Sequence, residues 1–195
     1  MALLELFARS ATPQVVFVGP YGVGKSTAVR AVSDVEVVPD PTVVPAAPGT
    51  RAAQRAAANG SERGEWAGGP DGPLTVLSVA GQLRFRAVGP TGLVPPTRMV
   101  LWLYGHTPDA LEEAEEWLAY ISPELHESPL TVAVTRLEVP GDRPALVDYR
   151  PLVDRWVRGA PIVSADPRDR ESVEEVLVAA VRAPAPARAA RAVGA

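Results

Sequence analysis

QVVFVGPYGVGKSTAVRAV, residues 14–32, changes character twice within one short segment. Residues 14–19, QVVFVG, are an apolar, β-branched run that ends in glycine, the pattern of a buried strand. Residues 25–32, KSTAVRAV, continue with helical character. Between them Gly19-Pro20-Tyr21-Gly22-Val23-Gly24-Lys25-Ser26 satisfies G-x-x-x-x-G-K-[ST] in full, in the strand-to-helix position that the motif's mechanism requires.

The residue types explain the chemistry. Glycines let the backbone wrap so that its N–H groups converge on phosphate oxygens. The helix N-terminus adds a favourable dipole. Lys25 supplies a compact charge for the outer phosphates, and Ser26 a hydroxyl for magnesium. Val23 and Thr27 complete the cradle. A chance match in a chain of this length is on the order of one per cent, so phosphate binding is expected over a ligand-free glycine turn. Lys25 is also the only lysine among 19 basic residues. The planar fork of arginine does not enter a tight loop as an ammonium does.

Outward from this segment, the 195 residues suit one domain with a substantial core. Strands are expected at 73–81, 97–105, 129–137 and 160–165, and helices at 107–121, 144–157 and 171–181. Thr107 is placed as the cap of the first of these helices and Pro108 at its first position. Pro151 is expected to interrupt the second. Residues 39–73, rich in Pro, Gly and Ala, read as a long mobile loop with a short strand near Glu65 and Trp66. Residues 1–13 form an N-terminal extension and 183–195 a low-complexity, disordered tail. Near-continuous apolar strands alternating with helices give the fold class α/β, a mostly parallel sheet with helices on both faces, and the G-x-x-x-x-G-K-[ST] match at 19–26 makes a P-loop nucleotide-hydrolase fold the expectation.

Composition narrows the function classes. No cysteine is present, so thiolate metal sites and cysteine nucleophiles are excluded. A net charge of −4 gives no electrostatic footprint for nucleic acid. No apolar run approaches the roughly 20 residues of a membrane span. MALLELFARS lacks the basic front and long apolar stretch of a signal peptide. A cytoplasmic protein is the expectation.

Three further segments carry a resemblance. SVAGQLRFR (78–86), VAVTRLE (132–138) and PIVSADPRDRESV (161–173) resemble, in order, the D-x-x-G-Q, N-K-x-D and S-A-x elements of small Ras-like GTPases. Together with GPYGVGKST they look like the bacterial branch, which includes the gliding-motility GTPases and the GTP-binding proteins of actinobacterial four-gene conservons. The resemblance covers most of residues 14–182 and is strongest at the glycine-rich loop. It implies a small Ras-like G domain over 14–182, with GTP or GDP and Mg²⁺ as ligands. Gly19, Tyr21, Gly22, Val23, Gly24, Lys25, Ser26 and Thr27 would hold the phosphates, with Ser26 on the metal. Gly81 and Gln82 follow the second core strand, with Gln82 orienting the attacking water. Arg136 and Glu138 would meet the guanine base, with Ser164 and Ala165 from the last element. A roadblock-type regulatory homodimer is the partner that the resemblance implies.

The chain departs from that pattern at several points. Ser78 stands where a magnesium-shell aspartate is usual, and Thr135-Arg136-Leu137-Glu138 replaces N-K-x-D. Thr42 and Thr50 are the two threonines available for switch I. Tyr21 sits where many Ras-like loops have glycine, and its ring would crowd the attacking water. Arg84 and Arg86 could supply charge in cis or merely anchor their loop. Three functions remain open: a slow GTPase switch in bacterial signalling or polarity, a degenerate nucleotide-holding scaffold, and a small P-loop kinase or ATPase.

Overall fold

The computed structural model describes residues 13–39, 62–79, 97–126, 128–138 and 144–185. Thr42, Thr50, Gly81, Gln82, Arg84 and Arg86 lie outside the described residues, as do residues 1–12 and 186–195.

Seven strands form one sheet: β1 (Gln14–Val18), β2 (Val38–Pro39), β3 (Glu62–Trp66), β4 (Leu74–Ser78), β5 (Thr97–Tyr104), β6 (Leu130–Thr135) and β7 (Ile162–Ser164). Their order across the sheet is β2-β3-β4-β1-β5-β6-β7. β4, β1, β5, β6 and β7 run parallel, while β3 is antiparallel to β4 and β2 to β3. The fold is α/β with a mostly parallel sheet.

Strand alternation creates two cores. Val16 and Val18 of β1 join Met99, Leu101 and Leu103 of β5 and Leu130, Val132 and Val134 of β6 on one face. Helix α2 (Ala110–Ile121) covers it with Ala114, Trp117, Leu118 and Ile121, and helix α3 (Tyr149–Trp156) with Tyr149, Leu152 and Val153. Val15, Phe17, Val76, Val100 and Trp102 turn to the other face. There α1 (Lys25–Val32) brings Ala28, Val29 and Val32, and α4 (Arg170–Arg182) brings Val173, Val176, Leu177 and Ala180. Helices on both faces are what bury central strands that are apolar on both sides.

Several boundaries differ from the sequence reading. The short strand expected near Glu65 and Trp66 is present as β3, and it begins earlier than read, at Glu62. Its polarity hid its extent because, of its five residues, only Gly64 and Trp66 are buried. Gly64 is there for close approach: a Cβ would lie 2.7 Å from Ser33 Oγ, so α1 lies directly on the strand. Thr107 is not the cap of α2. The helix begins at Ala110, Thr107 Oγ1 is buried without a partner, and the turn before the helix closes through the Thr107 carbonyl, which accepts from Ala110 N–H at 3.2 Å. Pro151 does not interrupt α3, because it falls in the first turn, where a backbone N–H has no intrahelical acceptor to lose. Ala183, assigned to the tail, is buried, and its carbonyl accepts from the Arg98 guanidinium at 3.3 Å.

The glycine-rich loop leaves the carboxyl end of β1, at the centre of the sheet. On one side lies β4, reached after β1 in the chain, and on the other β5. In open α/β sheets a reversal of this kind opens a crevice beyond the strand ends, and ligands settle there.

Candidate functional site

The loop is held from three sides. Gly19, at φ 133, opens it against β5, and a Cβ there would come within 2.1 Å of the Trp102 carbonyl oxygen. Only glycine permits both that backbone angle and that approach. Val23 is buried in the core beneath α1 and α4 and pins the middle of the loop. Gly24, at φ 111, lies against Pro167, whose Cγ would be 2.5 Å from an added Cβ.

Lys25 is 6 % exposed and folds back beneath the loop. Its Nζ donates to the carbonyl of Gly19 at 2.8 Å and to that of Pro20 at 2.7 Å. An ammonium has three donors, so one N–H has no acceptor among the described residues. Burial pulls the Lys25 pKa down to about 8. The first bond within α1 runs from Ala28 N–H to the Gly24 carbonyl at 2.8 Å, leaving the N–H groups of Lys25, Ser26 and Thr27 without intrahelical acceptors. No acidic side chain occupies this first turn. Ser26 is half-buried and Thr27 exposed. The arrangement can hold an anionic oxygen between an ammonium, free N–H groups and a hydroxyl.

Tyr21, at the loop's crest, is 66 % exposed. Its carbonyl accepts a 2.8 Å hydrogen bond from the Tyr104 hydroxyl at the end of β5. Burial raises the Tyr104 pKa, and nearby Arg136 partly opposes the rise, so the hydroxyl remains a donor at neutral pH.

The ends of β5, β6 and β7 form the second half of the crevice. Arg136, directly after β6, has φ 60 and sets its guanidinium carbon 5.0 Å from the centre of the Tyr104 ring. Thr135 is fully buried, with its Oγ1 unpartnered and its carbonyl accepting from Gly105 N–H at 2.8 Å. Glu138 and Ser164 are exposed, while Ala165 is buried and donates its N–H to the Val134 carbonyl at 2.9 Å. Through Pro167 the segment after β7 touches Gly24. Thus the loop residues, Arg136 and the Ser164–Ala165 segment gather along one edge of the sheet, whereas Gly81 and Gln82 lie outside the described residues.

Two residues absent from the sequence reading belong here. Tyr104 looked like the end of an apolar strand. Glu62 was hidden in a segment read as loop. Glu62 stands opposite Ser78 across the β3–β4 pair, and Ser78 pairs in turn with Phe17, two positions before Gly19. Glu62 Oε1 meets the Arg30 guanidinium of α1, while Oε2 is buried without a partner. Among the described residues no group of three or more His, Asp or Glu side chains is arranged to enclose a metal ion, and no helix is long and apolar enough to cross a membrane.

Comparison with protein-family models and with curated proteins finds no match to this chain.

Proposed function

We propose that this chain is a Ras-like P-loop protein that binds GTP or GDP with Mg²⁺ and works as a slow molecular switch in a bacterial cytoplasmic signalling or polarity system. The observation that carries the reading is Lys25, a lone lysine buried under a glycine-rich loop with its ammonium against the Gly19 and Pro20 carbonyls. Retaining a cation in so enclosed a place costs free energy. An anionic ligand at the loop offsets that cost. The position of the loop at the centre of a mostly parallel sheet supports the same reading.

The side chains divide the work. Lys25 and the N–H groups at the start of α1 bind the phosphates. Arg136 offers a guanidinium plane to the base, and Glu138 a carboxylate to its donor edge. Magnesium in such sites keeps several waters and shares few protein ligands. Ser26 would hold the ion, and Glu62, with Oε2 unpartnered, would accept from its bound water. When bound, the ion neutralises charge developing on the transferring phosphoryl group. Gln82 orients the water in this reading, and a roadblock-type homodimer docks on the switch segments.

The scaffold reading has its own support. Ser78 Oγ is already engaged by Glu62 N–H at 3.2 Å, and no carboxylate occupies that position. Single-turnover hydrolysis with and without a partner separates switch from scaffold. A small P-loop kinase would need an arginine free to close over the phosphates, and Arg150 is engaged elsewhere: its guanidinium donates to the Ala160 carbonyl at 2.8 Å, between α3 and β7.

The test is chemical. Lys25 is the only side-chain amine. GTP–Mg²⁺, and not ATP–Mg²⁺, is expected to protect it from an acylating reagent, and Lys25→Ala to abolish binding without unfolding the chain. Equal labelling with and without either nucleotide would refute the phosphate-loop assignment.

A further inference from the structure

We propose that Tyr104 is a positioning residue that registers the phosphate end of the site against its base end, so that the site selects a nucleoside polyphosphate over a bare polyphosphate. This rests on the nucleotide reading above.

Tyr104 makes four connections from one residue. Its hydroxyl donates to the Tyr21 carbonyl at 2.8 Å, fixing the crest of the glycine-rich loop. The same oxygen leaves 2.9 Å to the place a Cβ on Gly22 would occupy, so the loop closes directly on the phenol. Its ring carries the Arg136 guanidinium at 5.0 Å. Its own carbonyl accepts from the Tyr149 hydroxyl at 3.0 Å, which anchors the end of β5 to α3. His106 packs edge-on against the ring, with centroids 5.4 Å apart. The ring is thus bounded by Arg136 and His106 and its backbone is tied to α3. A ring so confined transmits the position of the loop to the guanidinium, and that of the guanidinium to the loop.

Among the described contacts no side-chain hydrogen bond joins these two segments directly; the link runs through the Tyr104 hydroxyl on one side and its ring on the other. Arg136 has no hydrogen bond or ion pair of its own among the described contacts and is held over Tyr104 by its left-handed backbone and the aromatic face. A base stacked on the outer face of the guanidinium would therefore be placed by Tyr104, while its phosphates are placed by a loop that Tyr104 also holds. Correct spacing between the two ends matters only to a ligand that possesses both.

Tyr104→Phe removes the hydroxyl bond and keeps the ring. Binding of GDP–Mg²⁺ and of inorganic pyrophosphate–Mg²⁺ is measured by calorimetry for wild type, Tyr104→Phe, Arg136→Gln and the double variant, with circular dichroism confirming each fold. GDP affinity is expected to fall about five- to tenfold in Tyr104→Phe, the scale of one lost hydrogen bond, with a distinctly smaller fall for pyrophosphate, which feels the loosened loop but has no base to misalign. The double variant is expected to bind GDP no more weakly than Arg136→Gln, because without the guanidinium the hydroxyl has nothing to align. An equal fall for both ligands, or no fall for GDP, would overturn the role given to Tyr104 and leave the nucleotide reading standing. Failure of the wild-type protein to bind either ligand would overturn the nucleotide reading itself.

Discussion

Glu62 and Ser78 face each other across the antiparallel β3–β4 pair, and the backbone N–H of Glu62 donates to Ser78 Oγ at 3.2 Å. A carboxylate-bearing residue thus stands directly opposite the Ser78 hydroxyl. Its Oε1 is held by Arg30, and its Oε2 is left for another donor.

Glu62→Gln is therefore expected to weaken the magnesium dependence of nucleotide binding severalfold while changing unfolding stability by about 1 kcal/mol, because the Arg30 partner it loses is largely exposed. Ser78→Asp sets two carboxylates opposite each other, an arrangement that destabilises a strand pair. It is expected to lower the melting temperature without magnesium and to recover part of the loss when magnesium and GDP are added. Magnesium titrations and thermal scans of both variants check this. Unchanged magnesium dependence in Glu62→Gln would remove that residue from the metal's surroundings.

Lys25 makes stability and binding respond to pH in opposite senses. Its pKa moves from 10.5 unfolded to about 8 folded because burial penalises the charge. Below about pH 8 both states are protonated and the folded state bears the whole penalty. Between about 8 and 10.5 the unfolded chain keeps a proton that the folded chain has released, so ligand-free stability rises with pH, by on the order of 3 kcal/mol in full. Tyr149 opposes this above pH 10.0, because burial holds its folded pKa up to about 12 and stability is lost as the unfolded phenol ionises. The rise is clearest between pH 8 and 10 and is expected to disappear in Lys25→Met. Nucleotide affinity, which needs the ammonium, is expected to be level to about pH 8 and then to fall by up to tenfold per unit. Denaturant melts and binding isotherms across this range test both halves.

Gly24 and Gly159 separate two costs. Both have positive φ, 111 and 77, but an added Cβ at Gly24 strikes Pro167 whereas at Gly159 it meets open space. Gly159→Ala is expected to cost about 1 kcal/mol from backbone angle alone. Gly24→Ala is expected to cost about 2 kcal/mol or more and also to weaken nucleotide binding, because Pro167 leads directly from Ser164 and Ala165. Equal losses, with binding intact in both, would show that the loop does not lean on Pro167.

Tyr21 presents its ring outward and is tied only through its carbonyl in the described contacts. Tyr21→Ala therefore leaves that tie in place. GDP affinity is expected to stay within about twofold while single-turnover hydrolysis quickens severalfold, as a crowding side chain is removed from the path of water. An unchanged rate would place the slow step elsewhere.

The central half of this molecule was legible because burial on both faces of β1, β5 and β6 demands unbroken apolar runs, and such runs declare themselves. The loop was legible for another reason: its backbone angles and its phosphate chemistry admit few residue types. β3 was less so, since a strand beside the sheet's edge needs only alternate positions buried, and ERGEW supplies them with a glycine and a tryptophan. The start of α2 misled because Thr107-Pro108 has the composition of a cap while its hydroxyl makes no capping bond. Tyr104 and Glu62 could not be read at all, because their roles depend on which segments lie beside them. Tyr104 sits 83 positions from the carbonyl it binds.

That one lysine lies under the loop also makes the molecule its own reporter. Protein grown with isotope-labelled lysine carries its label at a single residue, and that residue is in the site. A magnetic resonance spectrum of such a sample contains no competing lysine signal and requires no assignment. The amine's chemical shift, its exchange with solvent and its response to each added ligand can be followed directly in the unmodified chain, with no tag, dye or substitution placed near the loop.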